Sequence, residues 1–444
     1  MERDLVNGKI GKSIFYFSLP LIFGNLLQQL YNLVDTYIVG KYVSSNALAA
    51  VGASYSLLTF LTSIIIGLCM GSGILFAMYY GGKEFKKLKN ALFVSFISIG
   101  IITVLLEFIC FIFIDDILVW LNIPQEIFIL TKDYLKIIFS GIVFVFIYNY
   151  FACLLRSLGN SKIPLVFLVI STIINVILDL VFVLYFKMAV TGVAIATLIS
   201  QIISAISIAL YVLIIKKEIL PNKEDCYFDY KIFKKISDYS LMTCLQQGIM
   251  NFGILMIQGL VNSFGLNVMA AFSACVKIDS LAYLPVQDFG NAFATFVAQN
   301  KGANKLDRIN KGIKIAFLME SIFSIIISIL VNMFARELLM IFVSEQDIIL
   351  IGIKYLQIEG SFYLGVGCLF LLYGYYRGIG KMKMSLVLTI VSLGTRVLLA
   401  YLLANIYGYE MIWWAIVIGW FLADVLGIVY GFKKEGWKLN GIND

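Results

Sequence analysis

The sequence predicts an all-α polytopic membrane protein whose twelve transmembrane helices form two six-helix, pseudo-symmetric lobes. Three observations carry that expectation. Of the 444 residues 61% are apolar and only 14% charged; long apolar windows recur with short polar gaps; and the chain repeats itself at a fixed offset. A chain this apolar has the bilayer as its solvent.

The same composition excludes several functions. The net charge of +7 comes from lysines in brief loops, with no basic stripe interleaved with aromatics, so it orients membrane helices and does not bind nucleic acid. Six of the seven cysteines, Cys69, Cys110, Cys153, Cys244, Cys275 and Cys368, lie in apolar stretches without any CxxC, and they behave as small hydrophobes. There is no histidine, which removes the commonest zinc ligand and the usual general base. No enzyme activity and no cofactor are expected. The charged opening, Met1 to Lys12, runs straight into an apolar segment, so the first helix is expected to serve as its own insertion signal.

A helix needs roughly 20 apolar residues to cross a hydrocarbon core of about 30 Å. On that ruler the first six spans run Ile14 to Val39, Val51 to Tyr80, Ala91 to Ile114, Tyr134 to Leu155, Pro164 to Phe186 and Gly192 to Ile215. The second six run Tyr239 to Phe264, Ala271 to Ala298, Ile315 to Phe334, Tyr355 to Tyr376, Ser385 to Tyr407 and Met411 to Gly431. With the N-terminus placed in the cytoplasm, the cytoplasmic segments collect 26 of the 34 basic residues, whereas the external ones hold only Lys41, Lys132, Lys136, Lys187, Arg336 and Lys354. That asymmetry predicts a multi-pass protein of the cell (inner) membrane with both termini cytoplasmic.

A shift of 221 positions places Gln125 on Gln346, Tyr134-Leu135 on Tyr355-Leu356, Arg156 on Arg377, Gly159 on Gly380 and Ala194-Ile195 on Ala415-Ile416. The halves are therefore duplicated. Each has an even number of helices, so the copies share one orientation, as in transporters that place a substrate path between parallel repeats. The expected division is an N-terminal lobe over 1–215, a cytoplasmic linker over 216–237 and a C-terminal lobe over 238–444.

An ionisable side chain in hydrocarbon costs a few kcal/mol or more, about 3 for an Asp at a helix centre, so each calls for a reason. The first helix carries Asn25, Gln28, Gln29, Asn32 and Asp35, mostly on one face; the fifth carries Ser171, Asn175 and Asp179 at i, i+4 and i+8. Cross-helix hydrogen bonding, at roughly 1 kcal/mol each, accounts for the amides. It does not account for Asp35 and Asp179, which are read as functional. The second half does not repeat this acid pair: the offset sets Asp179 on Ala400 and Asn175 on Arg396. Lys277 with Asp279, and Arg396 with Glu320, Glu359 or Asp424, are read as pairs, and Glu107 as an acid near an external helix end. Pro20 and Pro285 each remove a helical hydrogen bond and permit a bend.

Ser18-Leu19-Pro20, Gln28-Gln29-Leu30-Tyr31-Asn32-Leu33-Val34-Asp35, Val39-Gly40 and Ala47-Leu48-Ala49-Ala50-Val51-Gly52 resemble the opening of the multidrug and toxic compound extrusion (MATE) family. Gln299-Asn300-Lys301-Gly302-Ala303 and Arg308 resemble its later signature, and the likeness covers essentially the whole chain. The resemblance implies a V-shaped pair of six-helix lobes that exports cationic, amphipathic or aromatic compounds in exchange for H⁺ or Na⁺. It is nearest the bacterial branch of DNA-damage-inducible-protein-F-like exporters. By that resemblance Asp35, Asp179, Asn175, Thr197 and Tyr134 form the coupling-ion site of the N-terminal lobe, and Pro20 is the hinge of the first helix. Another branch uses carboxylates in the seventh and tenth helices; the stretches here, around Met250 and Val366, hold none.

The expected protein is thus a secondary active antiporter for small drug-like substrates, working in the lipid bilayer as a monomer with no cofactor beyond its coupling ion. The alternative is a flippase for lipid-linked substrates, which needs a strongly basic lateral cavity that Lys277 and Arg396 are too few to supply. A membrane-embedded transferase lacks its metal motifs or catalytic histidine, and no filter-like loop suggests a channel. Cysteines introduced one at a time at Lys86 and Lys305, in a cysteine-free background, are expected to be shielded from an impermeant thiol reagent applied outside. Cysteines at Asp116 and Glu345 are expected to label, and the reversed pattern would overturn the topology.

Overall fold

The computed structural model describes residues 3–435 and 437, and of Asn32, Leu33 and Ser45 only the backbone. The described chain is helical throughout. It runs α1 (Ile10–Tyr42), α2 (Ser45–Gly81), α3 (Phe85–Ile112), a short α4 (Ile114–Trp120), α5 (Gln125–Phe139), α6 (Ile142–Ser157), α7 (Lys162–Leu180) with a π turn at Val181–Tyr185, and α8 (Val190–Ile215). The second half runs α9 (Tyr230–Asn262), α10 (Leu266–Gly302), α11 (Leu306–Met333), a short α12 (Ala335–Met340), α13 (Gln346–Ser361), α14 (Tyr363–Gly378), α15 (Met382–Tyr407) and α16 (Glu410–Lys434).

The offset of 221 seen in the sequence carries α2 onto α10, α3 onto α11 and α6 onto α14 end for end. Even the turns repeat. Gly159 (φ 83°) and its counterpart Gly380 (φ 81°) stop α6 and α14 in the left-handed region that a side chain disfavours.

Among the described residues ten helices are long and apolar enough to cross a membrane, and there are twelve spans when two bent pairs each count as one. Those pairs are α5 with α6, bent by 43°, and α13 with α14, bent by 49°. The fourth and tenth spans therefore begin earlier than the apolar windows suggested, since Tyr134 and Tyr355 already lie well inside α5 and α13. Glu126, Lys132, Asp133 and Lys136 make α5 amphipathic, which hides its first turns from a hydropathy ruler.

The described chain packs as two compact units, one of residues 23–244 with Arg3, the other of residues 4–22 and 245–435 with Trp437. The division does not fall in the linker. Two continuous helices are shared between units: α1 changes unit just after Pro20, and α9 changes at Cys244.

The first unit centres on buried aromatic and aliphatic side chains, with Phe76 edge-on to Tyr150 at 6.0 Å. Its linker is pinned to α3 by Asn90, whose amide donates to the carbonyls of Asp225 (2.9 Å) and Tyr227 (2.8 Å). The second unit centres on Trp413 stacked on Phe272 at 5.4 Å, and its core includes Leu5, Ile14 and Phe17 from the start of the chain.

The stretch Gln299–Arg308 acquires a physical role here. Asn300 donates to the Leu5 carbonyl at 3.0 Å, Arg308 donates to the carbonyls of Leu5 (3.2 Å) and Gly8, and Lys305 donates to the Val6 carbonyl at 3.2 Å. The segment ahead of α1 is thereby clasped into the second unit. Partial burial works to raise the Asp4 carboxyl, but hydrogen bonds from Asn7 and Val6, with help from Arg308, outweigh it and hold it below its usual range. A lowered carboxyl contributes stability that is present at neutral pH and lost as pH falls through the lowered value.

Arg308→Ala should cost about 1–3 kcal/mol in detergent unfolding, since it strips donors from buried carbonyls, and should speed amide exchange at the start of α1. Arg308→Lys should recover only part of this, because an ammonium lacks the guanidinium fork. Unchanged exchange at residues 8–12 in Arg308→Ala would show that the clasp does not hold this segment.

Candidate ion-coupling site

Inside the first unit, four helices bring the sequence-predicted residues together: Asp35 from α1, Tyr134 from α5, Asn175 and Asp179 from α7, and Thr197 from α8. Asp179 is fully buried and Asn175 is 1% exposed. The Asn175 amide donates to Thr197 Oγ1 at 3.5 Å, and Tyr134 lies within electrostatic reach of both aspartates. The carboxyls of Asp35 and Asp179 approach within hydrogen-bond reach of each other. As carboxylates neither can donate, so Asp35 Oδ1 and both Asp179 oxygens are buried without a donor.

Sequence reasoning missed Tyr31. Its hydroxyl lies 3.4 Å from Thr197 Oγ1 and within hydrogen-bond reach of Asp35. The signal was available, since Tyr31 precedes Asp35 by four residues and so shares its face. Asn32, also placed on that stripe, has a side chain outside the described residues. Ser171 turns back to the Leu168 carbonyl at 3.0 Å, a local bond that leaves it a structural residue. Immediately after Asp179 the helix widens into its π turn, which fits the frequent placement of such turns beside functional residues. Pro20 lies in α1 on the far side of the point where that helix changes unit.

The second unit has acids of its own, organised differently. Asp279 on α10 accepts hydrogen bonds from Tyr355 (2.5 Å) and Tyr363, with Glu359 beside it and Arg396 of α15 within electrostatic reach of both acids. Tyr355 is the repeat counterpart of Tyr134, and Arg396 of Asn175. The position that holds a neutral amide in the first unit thus holds a guanidinium in the second. Arg396 takes Asp279 and Glu359 as partners, not Glu320 or Asp424. Lys277 does not pair with Asp279: two residues apart, they point to different faces, and its ammonium sits over the Phe342 ring at 5.5 Å.

The sequence model of the MatE family matches residues 20–181 and again 239–402, once in each half. The chain belongs to the MATE family. It is similar to a "Probable multidrug resistance protein YoeA" of Bacillus subtilis, with 28% identity over 97% of this chain and 94% of the relative. It is also similar to the "Multidrug export protein MepA" of Staphylococcus aureus, with 23% identity over 92% and 90%. Among solved structures, a MATE crystal structure in complex with MaL6 superposes with a TM-score of 0.91 at 23% identity, covering 97% of this chain and 98% of that one. A MOP superfamily transporter from Pyrococcus furiosus superposes equally well, at 0.91 and 23% over 97% of each. The protein is therefore a multi-pass membrane transporter of the MATE multidrug efflux family and not an enzyme.

Within this MATE protein the two acid clusters differ in how charge is balanced. Arg396→Ala should destabilise the protein by about 3–5 kcal/mol, the effect of leaving a buried acid uncompensated. Asp279→Asn combined with Arg396→Gln should cost clearly less than the sum of the single changes, read from thermal unfolding in one detergent. Strict additivity would show that the guanidinium does not stabilise these acids.

Proposed function

We propose that the protein is a secondary active antiporter that exports drugs or other amphipathic, cationic small molecules, driven by an ion that enters at Asp35 and Asp179. The observation that carries this is an acid pair, Asp179 fully buried and Asp35 partly so, with no resident cation among the described residues. Among the described residues no Lys or Arg acts on either aspartate, whereas the equivalent region of the second unit contains Arg396. A pair that the protein does not neutralise itself is neutralised from outside, and binding and release of that charge is what coupling requires.

The approach of the two carboxyls favours H⁺ over Na⁺, because a shared proton supplies the donor that both lack. In the cycle proposed here a proton arriving from the external side binds the pair, with Tyr31, Tyr134, Asn175 and Thr197 orienting it. Loading removes the repulsion between the Asp35 and Asp179 carboxylates, and α1 rearranges, with Pro20 taking up a bend that narrows the drug path. Substrate leaves outward and the proton then leaves to the cytoplasm. Both termini face the cytoplasm, and one chain in the cell membrane suffices.

Asp35→Asn and Asp179→Asn are each expected to insert and fold, to retain drug binding, and to lose gradient-driven efflux in proteoliposomes by an order of magnitude or more. Asn175→Ala and Thr197→Ala should be milder, since neutral groups orient the ion without carrying its charge. Efflux close to wild type in either aspartate variant would sink the assignment. A requirement for Na⁺ under an imposed pH gradient would replace H⁺ by Na⁺ at the same site.

A further inference from the structure

The second unit contains another pair of acids that neither the repeat nor the Arg396 cluster explains. Glu320 stands about halfway along α11 and Asp424 about halfway along α16, so neither side chain is long enough to reach a membrane surface. Glu320 is 2% exposed and Asp424 8%. They lie within electrostatic reach of each other across α14.

Their surroundings are specific. Ser324, one turn further along α11, donates to Glu320 Oε1, and the Cys368 thiol of α14 is within hydrogen-bond reach of the Asp424 carboxyl. Tyr373 of α14 is the remaining titratable group near Asp424. Opposite Glu320 stands Gly367, where a Cβ atom would fall 1.5 Å from Glu320 Oε1, so the carboxyl occupies space that any other residue would fill. Glu320 Oε2 and Asp424 Oδ1 are buried with no donor at all. Among the described residues no Lys or Arg acts on either acid.

We propose that Glu320 and Asp424, framed by Ser324, Cys368 and Gly367, form a second proton-binding site of this transporter, contained within the second unit and independent of Asp35 and Asp179. Two carboxylates in hydrocarbon without a cation between them repel and lose their hydration together; one proton on either acid removes the repulsion and leaves one charge in place of two. A metal ion fits less well, because no group of three His, Cys, Asp or Glu side chains suited to a metal occurs among the described residues. The glycine distinguishes this from accidental burial, since it provides the space that the Glu320 carboxyl occupies.

The test is infrared spectroscopy of the full chain in lipid nanodiscs, following the C=O stretch of protonated carboxyls across a pH series in H₂O and D₂O. The background is Asp35→Asn with Asp179→Asn, so that failure of the N-terminal coupling site cannot be confused with failure of this one. A protonated-carboxyl band that shifts in D₂O is expected to persist in that background and to lose intensity when Glu320→Gln and Asp424→Asn are added. Gly367→Ala, which places a methyl where Glu320 Oε1 sits, is expected to shift the band, and gives an independent reading should the quadruple variant fold poorly. A spectrum unchanged by all three substitutions would overturn the proposal. So would radioactive Na⁺ binding in the background that disappears with Glu320→Gln and Asp424→Asn, which would make the site a sodium site.

Discussion

The contact between the Asp35 and Asp179 carboxyls, made in the first unit with no Lys or Arg among the described residues acting on either, is the interaction from which the rest of the molecule takes its sense. Two acids in a poorly hydrated helix bundle hold together only when something carries away their charge. The protein solves this problem in two ways. Around Asp279 and Glu359 it installs Arg396, together with the hydroxyls of Tyr355 and Tyr363, and the result is a self-contained cluster. Around Asp35 and Asp179 the described residues are neutral groups, Tyr31, Tyr134, Asn175 and Thr197.

Duplication makes the contrast sharp. Both halves descend along the same order of helices, and the tyrosines of α5 and α13 occupy equivalent places beside their acids. The acids themselves come from non-equivalent helices: α1 and α7 in the first unit, α10 and α13 in the second. A common scaffold has therefore been furnished twice, once with a guanidinium beside its acids and, among the described residues, once with neutral groups. That is a difference of side chains on a shared backbone, which is how fold and function separate.

Helix α1 carries Asp35 of the acid pair and continues directly from the start of the chain. The segment just ahead of it is clasped by Asn300, Lys305 and Arg308 within the second unit, and its later turns present Tyr31 and Asp35 within the first. Pro20 lies just before the change of unit, where a missing hydrogen bond makes bending cheapest. The signature near Arg308, whose place in the sequence is far from Asp35, thus anchors the segment that leads into the helix carrying Asp35.

What the sequence by itself determined was whatever depends on local composition and period: the membrane class, the number of spans, the duplication at 221 residues, and the polar stripes that single out Asp35, Asn175 and Asp179. A hydropathy window and an i, i+4 spacing are properties of one helix, and they survive without knowledge of its neighbours. The bends between α5 and α6 and between α13 and α14 were not legible in this way, because amphipathic first turns average out in a window. Nor was the pairing of charges. Lys277 stands two residues from Asp279 yet faces Phe342, while Arg396, more than a hundred residues away, faces Asp279 and Glu359. The sharing of α1 and α9 between units, the clasp at Arg308, the seating of Glu320 against Gly367 and its electrostatic reach to Asp424 were likewise decided only by tertiary structure. Each depends on which helices pack side by side, and in hydrocarbon that choice is made by close packing and by the need to satisfy every buried polar atom, which no single segment of sequence records.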